Sequence, residues 1–116
     1  MATERNSKYA LVANPGSPFK VIPCADVPSL GWLQGKVGGY IEIVNVHGRI
    51  GSNLKMVIDE EGKYKDYTAN LFATAATPLF ADFIFGTAVI LRMDGEDLIG
   101  FDYNEAKSIL QRLNHA

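Results

Sequence analysis

Hydrophobic residues occur along the chain in short runs, several of them alternating with polar residues, and this pattern predicts mainly β-strands. Residues 40–46 read Tyr-Ile-Glu-Ile-Val-Asn-Val, which predicts a strand with Ile41 and Ile43 on one face. We expect that face to be buried. The apolar runs at residues 9–13 and 19–22 are separated by Asn-Pro-Gly-Ser-Pro, which predicts a hairpin of edge strands.

The middle of the chain predicts further strands. Residues 54–58 are apolar apart from Lys55 and are followed by the turn sequence Asp-Glu-Glu-Gly, so residues 63–67 are expected to return as a second hairpin. Residues 82–93 are rich in large apolar side chains, with Gly86 near the centre. This composition predicts a long central strand that is buried on both faces or bulged at the glycine.

Helical spacing appears first in residues 28–37. The apolar residues Leu30, Leu33 and Val37 fall on one helical face, Asp26 and a proline precede them, and two glycines follow. We therefore expect a helix over residues 28–37. Two further glycines lie inside this segment, and each weakens a helix by about 1 kcal/mol relative to Ala, so a glycine-rich loop is the alternative.

Two later segments also predict helices. Residues 68–77 are rich in alanine and end before a proline, which is compatible with a short helix or with a structured loop. Asp102 and Glu105 have the spacing of a capping box, which predicts that the last helix begins here. The apolar stripe of that helix is formed by Ala106, Ile109, Leu110 and Leu113.

These elements and the length of 116 residues predict one domain over residues 1–116, with a flexible N-terminus at residues 1–8. Strands dominate the middle of the chain and helices flank them. The expected architecture is therefore α+β, with a mostly antiparallel sheet and helices packed on one face.

Composition and charge limit the binding partners and the cellular location that we expect. The formal net charge is -2 and the basic residues are scattered, which argues against direct binding of nucleic acid. The longest nearly apolar stretch, residues 79–91, is interrupted by Asp82 and is shorter than the about 20 residues of a membrane helix. A single cysteine, Cys24, favours a reducing compartment. We therefore expect a cytoplasmic protein without a membrane segment.

Four stretches of the chain together resemble a known family. They are Leu-Gln-Gly-Lys-Val-Gly-Gly-Tyr-Ile-Glu at residues 33–42, Asp-Glu-Glu-Gly-Lys at 59–63, Asn70, and Phe-Gly-Thr-Ala-Val at 85–89. The pattern is similar to that of small uncharacterised domains common in phages and other mobile elements, in which Asn is usual where Asp59 stands. The resemblance implies an intracellular accessory protein. It implies no activity, so it assigns no catalytic residue.

The most specific part of this motif also supplies candidate ligand-binding residues. Gly38 and Gly39 lack a Cβ atom and would let a ligand approach the backbone, unless they only end a helix before a strand. On that strand, Tyr40 could stack on a ring and Glu42 could accept a hydrogen bond from an amine or hydroxyl. The alternative for Glu42 is a carboxylate that faces solvent.

The connection after this strand carries two more candidates, His47 and Arg49, whose side chains suit phosphate binding or acid–base chemistry. Asp59 and the two glutamates after it are interpreted as a solvated turn, because adjacent carboxylates diverge and lack the spacing of a calcium loop. Cys24 is interpreted as a buried or unreactive thiol. We expect no catalytic centre, no metal site and no cofactor.

The functional hypothesis is a non-enzymatic binding module of a phage or mobile element. It would capture a host protein or a small nucleotide-like ligand and so counter a host defence. The alternatives are a small enzyme acting on a nucleotide or cofactor through Glu42 and His47, and a structural or assembly subunit.

Aromatic residues in the later half of the chain either complete the core or form an exposed patch. If they form a patch, we expect a homodimer through Phe72, Phe80 and Phe83.

Overall fold

One antiparallel sheet of six strands organises the computed structural model, which describes residues 8–78 and 82–114. The strands are β1 (Lys8–Ala13), β2 (Lys20–Cys24), β3 (Ile41–Asn45), β4 (Leu54–Asp59), β5 (Ala88–Asp94) and β6 (Asp97–Ile99). The helices of this part of the chain are α1 (Leu30–Val37), α2 (Leu71–Ala75) and α3 (Tyr103–Asn114), with a 3-10 turn at Gly62–Tyr64. None of these helices has both the length and the hydrophobicity needed to cross a membrane.

Strand β5 lies at the centre of the sheet, whose order is β2-β1-β5-β4-β3, and β6 pairs with β5 beyond β1. The predicted first hairpin is confirmed, because β1 and β2 pair from Lys8 opposite Cys24 to Val12 opposite Lys20. Strands β2 and β3 form the two edges of the sheet. The edge position that the prolines predict therefore applies to β2, whereas β1 lies inside the sheet.

Both faces of the sheet are covered by helices. Leu11 of β1 belongs to a core that also contains Ile109 of α3, and the next residue, Val12, belongs to a second core that contains Leu33 of α1. Since successive residues of a strand point to opposite faces, α1 and α3 lie on opposite sides of the sheet. The α+β class and the antiparallel sheet are confirmed. The prediction that the helices lie on one face is wrong, because the central strands are apolar on both faces and both must be covered.

Helix α1 lies within the predicted residues 28–37 and is capped at both ends. The Ser29 side chain accepts a hydrogen bond from the Trp32 N–H at 3.0 Å, so Ser29 rather than Asp26 begins the helix. Gly38 ends it in the left-handed conformation, with φ of 91°. The expected glycine stop is confirmed.

The second predicted hairpin is wrong. Strand β4 pairs with β3 and β5, for example through Val57 opposite Ile43 and Val89, and no strand forms over residues 63–67. The 3-10 turn after β4 instead directs Lys65 and Tyr67 back to the carboxylate of Asp59. These side-chain hydrogen bonds hold the segment in place of strand pairing.

The long strand predicted over residues 82–93 is broken at Gly86. Gly86 adopts a φ of 86°, and regular pairing in β5 begins only at Ala88. Before the break, Phe85 forms an isolated bridge with Ala69. Within residues 68–77, helix α2 is present but spans only Leu71–Ala75.

Helix α3 confirms the last predicted helix, but the two acidic side chains at its start do not act as a capping box. The Asp102 carboxylate accepts a hydrogen bond from Lys8 Nζ at 2.6 Å, and the Glu105 carboxylate pairs with Arg92. The backbone carbonyl of Asp102 accepts the Ala106 N–H at 2.9 Å, which is the first bond of the helix. These carboxylates thus join α3 to β1 and β5.

Candidate functional site

The residues predicted to bind a ligand lie in three different places. Gly39 and Tyr40 line a shallow depression after α1, and Glu42 lines a separate groove beside β3. His47 and Arg49 lie in the loop after β3, where His47 Nδ1 accepts a hydrogen bond from the Arg49 N–H at 3.1 Å. The structure therefore places Gly39 beside Tyr40 and His47 beside Arg49, but it does not bring the predicted residues together in one site.

The two glycines of the motif make room for side chains of the protein itself. A Cβ atom on Gly38 would lie 2.7 Å from the hydroxyl oxygen of Tyr67. A Cβ atom on Gly39 would lie 2.8 Å from Asp59 Oδ2 and 2.8 Å from Lys65 Nζ. Such distances are too short for a carbon atom, so internal packing is sufficient to explain both glycines.

Asp59 is the centre of a buried polar cluster that sequence analysis missed. Its side chain is 2% exposed and accepts hydrogen bonds from Lys65 Nζ at 2.6 Å, the Glu61 N–H at 2.9 Å and the Tyr67 hydroxyl at 3.0 Å. Lys65 Nζ also donates to the Gly38 carbonyl at 3.2 Å. The interpretation of Asp59 as part of a solvated turn is wrong, because the chain folds back to supply these donors.

This cluster keeps the Asp59 carboxylate ionised. Burial alone raises its pKa, since it disfavours charge, but the hydrogen bonds from Lys65, Glu61 and Tyr67 outweigh burial and lower the pKa below its ordinary value. The same contact with Asp59 raises the pKa of Lys65, although partial burial of the ammonium works in the opposite direction. The pair is charged at neutral pH and joins the end of α1 to β4.

Asn70 holds three parts of the chain together. Its side chain is fully buried, and Nδ2 donates to the Ala13 carbonyl at 3.0 Å and to the Gly86 carbonyl at 2.9 Å. Its Oδ1 accepts the Ala73 N–H at 3.0 Å and so caps α2. The lone asparagine of the resembled pattern therefore has a structural role here.

Beside β3 lies a groove of about 340 Å³, called here the β3 groove. Its lining includes Glu42, Val44, Lys63, Asp82, Phe83 and Ile84. Its floor is apolar, and at its rim Lys63 Nζ contacts Asp82 Oδ2 at 2.9 Å. Phe83 is 60% exposed, so an aromatic side chain at the groove remains accessible to a partner.

The outer side of β3 is an open sheet edge. The Glu60 N–H donates to the Tyr40 carbonyl at 2.8 Å, so the alternation of an antiparallel ladder directs the backbone groups of Glu42 and Val44 toward β4. The backbone groups of the alternate residues, Ile41, Ile43 and Asn45, therefore face away from the sheet. No other strand among the described residues pairs with this edge.

The burial predicted for β3 holds only in part. Ile41 is half-buried against the core on the α1 side, but Ile43 is 43% exposed, so the prediction that both are buried is wrong. The reason is that β3 is an edge strand, and Ile43, unlike Ile41, does not pack against the core that contains Leu33 of α1. Tyr40, at the start of this edge, is 72% exposed.

The aromatic residues considered for a homodimer are partly at the surface. Phe72 and Phe83 are both exposed, so these two side chains do not complete the core, and a homodimer through them stays a prediction. Phe85 is half-buried. Phe80 lies outside the described residues, so its place in such a patch stays a prediction.

The remaining candidate for chemistry, Cys24, is buried at the end of β2. Burial, assisted by the negative charge of Asp26, raises the pKa of its thiol to about 11. Among residues 8–78 and 82–114, no group of three or more His, Cys, Asp or Glu side chains is placed to hold a metal ion.

Comparison with known proteins gives one match. A family model described as "Domain of unknown function (DUF3846)" matches residues 7–114. Neither the curated proteins nor the solved structures give a match.

Proposed function

We propose that the chain, which belongs to the DUF3846 domain family, is a non-enzymatic binding module that captures an extended segment of another protein along β3. The observation that carries this proposal is the open backbone of Ile41, Ile43 and Asn45 directly beside the β3 groove. Addition of a strand to a sheet edge obtains affinity from main-chain hydrogen bonds and specificity from pockets for alternate side chains. The β3 edge offers both.

The face on which the groove lies determines how a segment fits. A strand added to β3 runs about 4.8 Å away, and every second side chain falls on the same face as Glu42 and Val44. Those side chains reach the groove, where Ile84 and the exposed Phe83 supply apolar contact. We therefore expect apolar residues at alternate positions of the captured segment.

Charge favours a basic segment over a phosphate-bearing ligand at this place. The groove contains two carboxylates, Glu42 and Asp82, and one ammonium group, Lys63, which is already paired with Asp82. Glu42 makes no ion pair with any described residue. The excess of one negative charge attracts Lys or Arg and repels phosphate, so the groove supports a protein segment rather than a nucleotide-like ligand.

The resemblance to proteins of phages and mobile elements suggests where the captured segment comes from. There the captured segment would belong to a host protein of the cytoplasm, and capture would counter a host defence. The enzyme alternative has less support from the geometry. The Nδ1 atom of His47 is engaged by the Arg49 N–H, while Glu42 opens into the groove.

The test uses a defined probe, an acetylated peptide of about eight residues that alternates Val and Thr and has one central Lys. A matched peptide carries Glu in place of Lys. Titration is followed by amide NMR of the folded protein. We expect shifts and slowed hydrogen exchange at Ile41, Ile43 and Asn45, with weaker binding of the Glu peptide.

Two variants make this test specific to the edge. Ile43→Pro removes an outward N–H but no bond of the β3–β4 ladder, so it should abolish binding while the NMR spectrum shows a folded protein. Val27→Lys changes another exposed apolar residue, outside β3, and should bind as the original protein does. Binding that survives Ile43→Pro, or shifts confined to other strands, would contradict the proposal. So would sedimentation showing that a second copy of the chain already occupies β3.

A further inference from the structure

Two arginines meet at a second pocket that the proposed function does not use. Arg92 comes from β5 and Arg112 from α3, and the pocket between them measures about 280 Å³. We call it the arginine pocket, and its polar lining consists of Gly51, Ser52, Arg92, Glu105, Ser108 and Arg112. Sequence analysis did not identify it because these residues come from three separate segments.

Both guanidinium groups are held in position by the loop before β4. Arg112 Nη1 donates to the Ile50 carbonyl at 3.0 Å, and Arg92 Nη1 donates to the Ser52 carbonyl at 3.3 Å. Arg112 Nη2 lies 3.4 Å from Ser108 Oγ. Because these contacts already order both arginine side chains, binding of a ligand costs little additional side-chain entropy.

The pocket has an excess of positive charge in a protein whose net charge is -2. Glu105 pairs with Arg92, but Arg112 makes no ion pair with any described residue. A guanidinium has five N–H donors, so each arginine keeps donors beyond those used on the loop and on Glu105. The hydroxyl groups of Ser52 and Ser108 add two more donors at the pocket.

We propose that the arginine pocket binds a phosphate group. The N–H donors that the two guanidinium groups keep free can converge on the oxygens of one phosphate, and such charge-assisted hydrogen bonds are about twice as strong as neutral ones. Serine hydroxyls at the rim suit the remaining oxygens. The chemistry is shared by free inorganic phosphate and by the phosphate of a nucleotide, and the experiment separates these two sources.

The experiment follows amide and arginine Nε–H resonances of the full chain as inorganic phosphate is added, with potassium chloride balancing ionic strength. We expect saturable shifts at Gly51, Ser52 and Arg92, and no such shifts with chloride alone. Adenosine monophosphate serves as the second probe. Tighter binding of the monophosphate identifies a nucleotide as the preferred source, and equal binding identifies phosphate alone.

Three variants decide whether the pocket is responsible. Arg112→Gln should weaken phosphate binding by at least about tenfold, since it removes the unpaired cation. Ser108→Asp leaves both arginines in place but adds a negative charge at the rim, so it should abolish binding even if Arg112→Gln proves unstable. Lys107→Gln removes a cation of the same helix that does not line the pocket, and it should bind as the original protein does. The proposal is overturned if chloride reproduces the shifts, or if Ser108→Asp binds phosphate unchanged.

Discussion

The carboxylate of Asp59 occupies the space that a Cβ atom on Gly39 would need, with Oδ2 2.8 Å from that position. The carboxylate cannot move aside without losing its hydrogen bonds to Lys65 and Tyr67. Gly39 and Asp59 therefore form a matched pair across the end of α1 and β4. This relationship explains why a glycine stands at residue 39 on structural grounds alone.

Gly39→Ala should destabilise the protein by about 1–3 kcal/mol, because the new methyl group forces Asp59 or Lys65 out of position. The measurement is the free energy of unfolding in urea. Gly35→Ala is the matched control, since residue 35 lies in α1 with open space around it, and alanine there should stabilise by about 0.5–1 kcal/mol. Equal effects of the two variants would show that the Asp59 cluster does not restrict residue 39.

Asp59→Asn should reduce the dependence of stability on acid pH. The folded-state pKa of Asp59 lies below its ordinary value, so its ionised form contributes stability above about pH 4 that is lost as pH falls through the lower folded-state pKa. The variant lacks this contribution and should show a flatter acid limb in urea unfolding measured at several pH values. Asp66→Asn, at an exposed carboxylate of the same segment, is the control and should leave the acid limb as it is. An equally steep acid limb in Asp59→Asn would contradict the assignment.

Asn70→Ala should destabilise the protein by about 2–4 kcal/mol. It removes the cap of α2 and leaves the buried carbonyls of Ala13 and Gly86 without their donor. Thermal and urea unfolding measure the loss. Asn104→Ala changes an exposed asparagine of α3 and should stay within about 0.5 kcal/mol of the original protein. A small effect at residue 70 would mean that water replaces the amide there.

Cys24 should react slowly with thiol reagents in the folded protein. Its pKa of about 11 leaves very little thiolate at neutral pH, and its side chain is buried. Reaction with Ellman's reagent should be at least about a hundredfold slower than that of free cysteine, and denaturant should restore the ordinary rate. Rapid modification without denaturant would show that the end of β2 opens readily.

The sequence pattern predicts those helices and strands whose formation depends mainly on neighbouring residues. The β1–β2 hairpin follows from its turn sequence, and α1 and α3 follow from apolar residues at helical spacing. The end of α1 at Gly38 was predictable for the same reason, since only a few neighbouring residues determine a helix stop. Residues 63–67 were not, because their path depends on bonds from Lys65 and Tyr67 to Asp59.

The sequence predicts the placement of helices on both faces of the sheet only in part. Val89, Ile90 and Leu91 are consecutive apolar residues, a pattern that indicates a strand covered on both sides. That pattern does not say which helix covers which face.

The candidate site, too, could be predicted from the sequence only in part. The sequence predicts Glu42 as a candidate binding residue from its position on β3, but the groove that it lines is also formed by Phe83 and Ile84, which are distant in sequence. The arginine pocket joins Arg92 to Arg112 through the carbonyls of an intervening loop. Contacts of this kind depend on tertiary structure and leave no periodic signal in the sequence.

The central position of β5 has a consequence for how the chain is made. Strands β1 to β4 leave the ribosome first, yet the β1–β2 hairpin and the β3–β4 hairpin are joined only by β5, which pairs with β1 on one side and β4 on the other. Until β5 is synthesised, the inner edges of both hairpins have no partner, and the apolar face that α3 covers stays open until α3 follows. We expect this interval to be the one in which the nascent protein is most prone to aggregate and most dependent on chaperones.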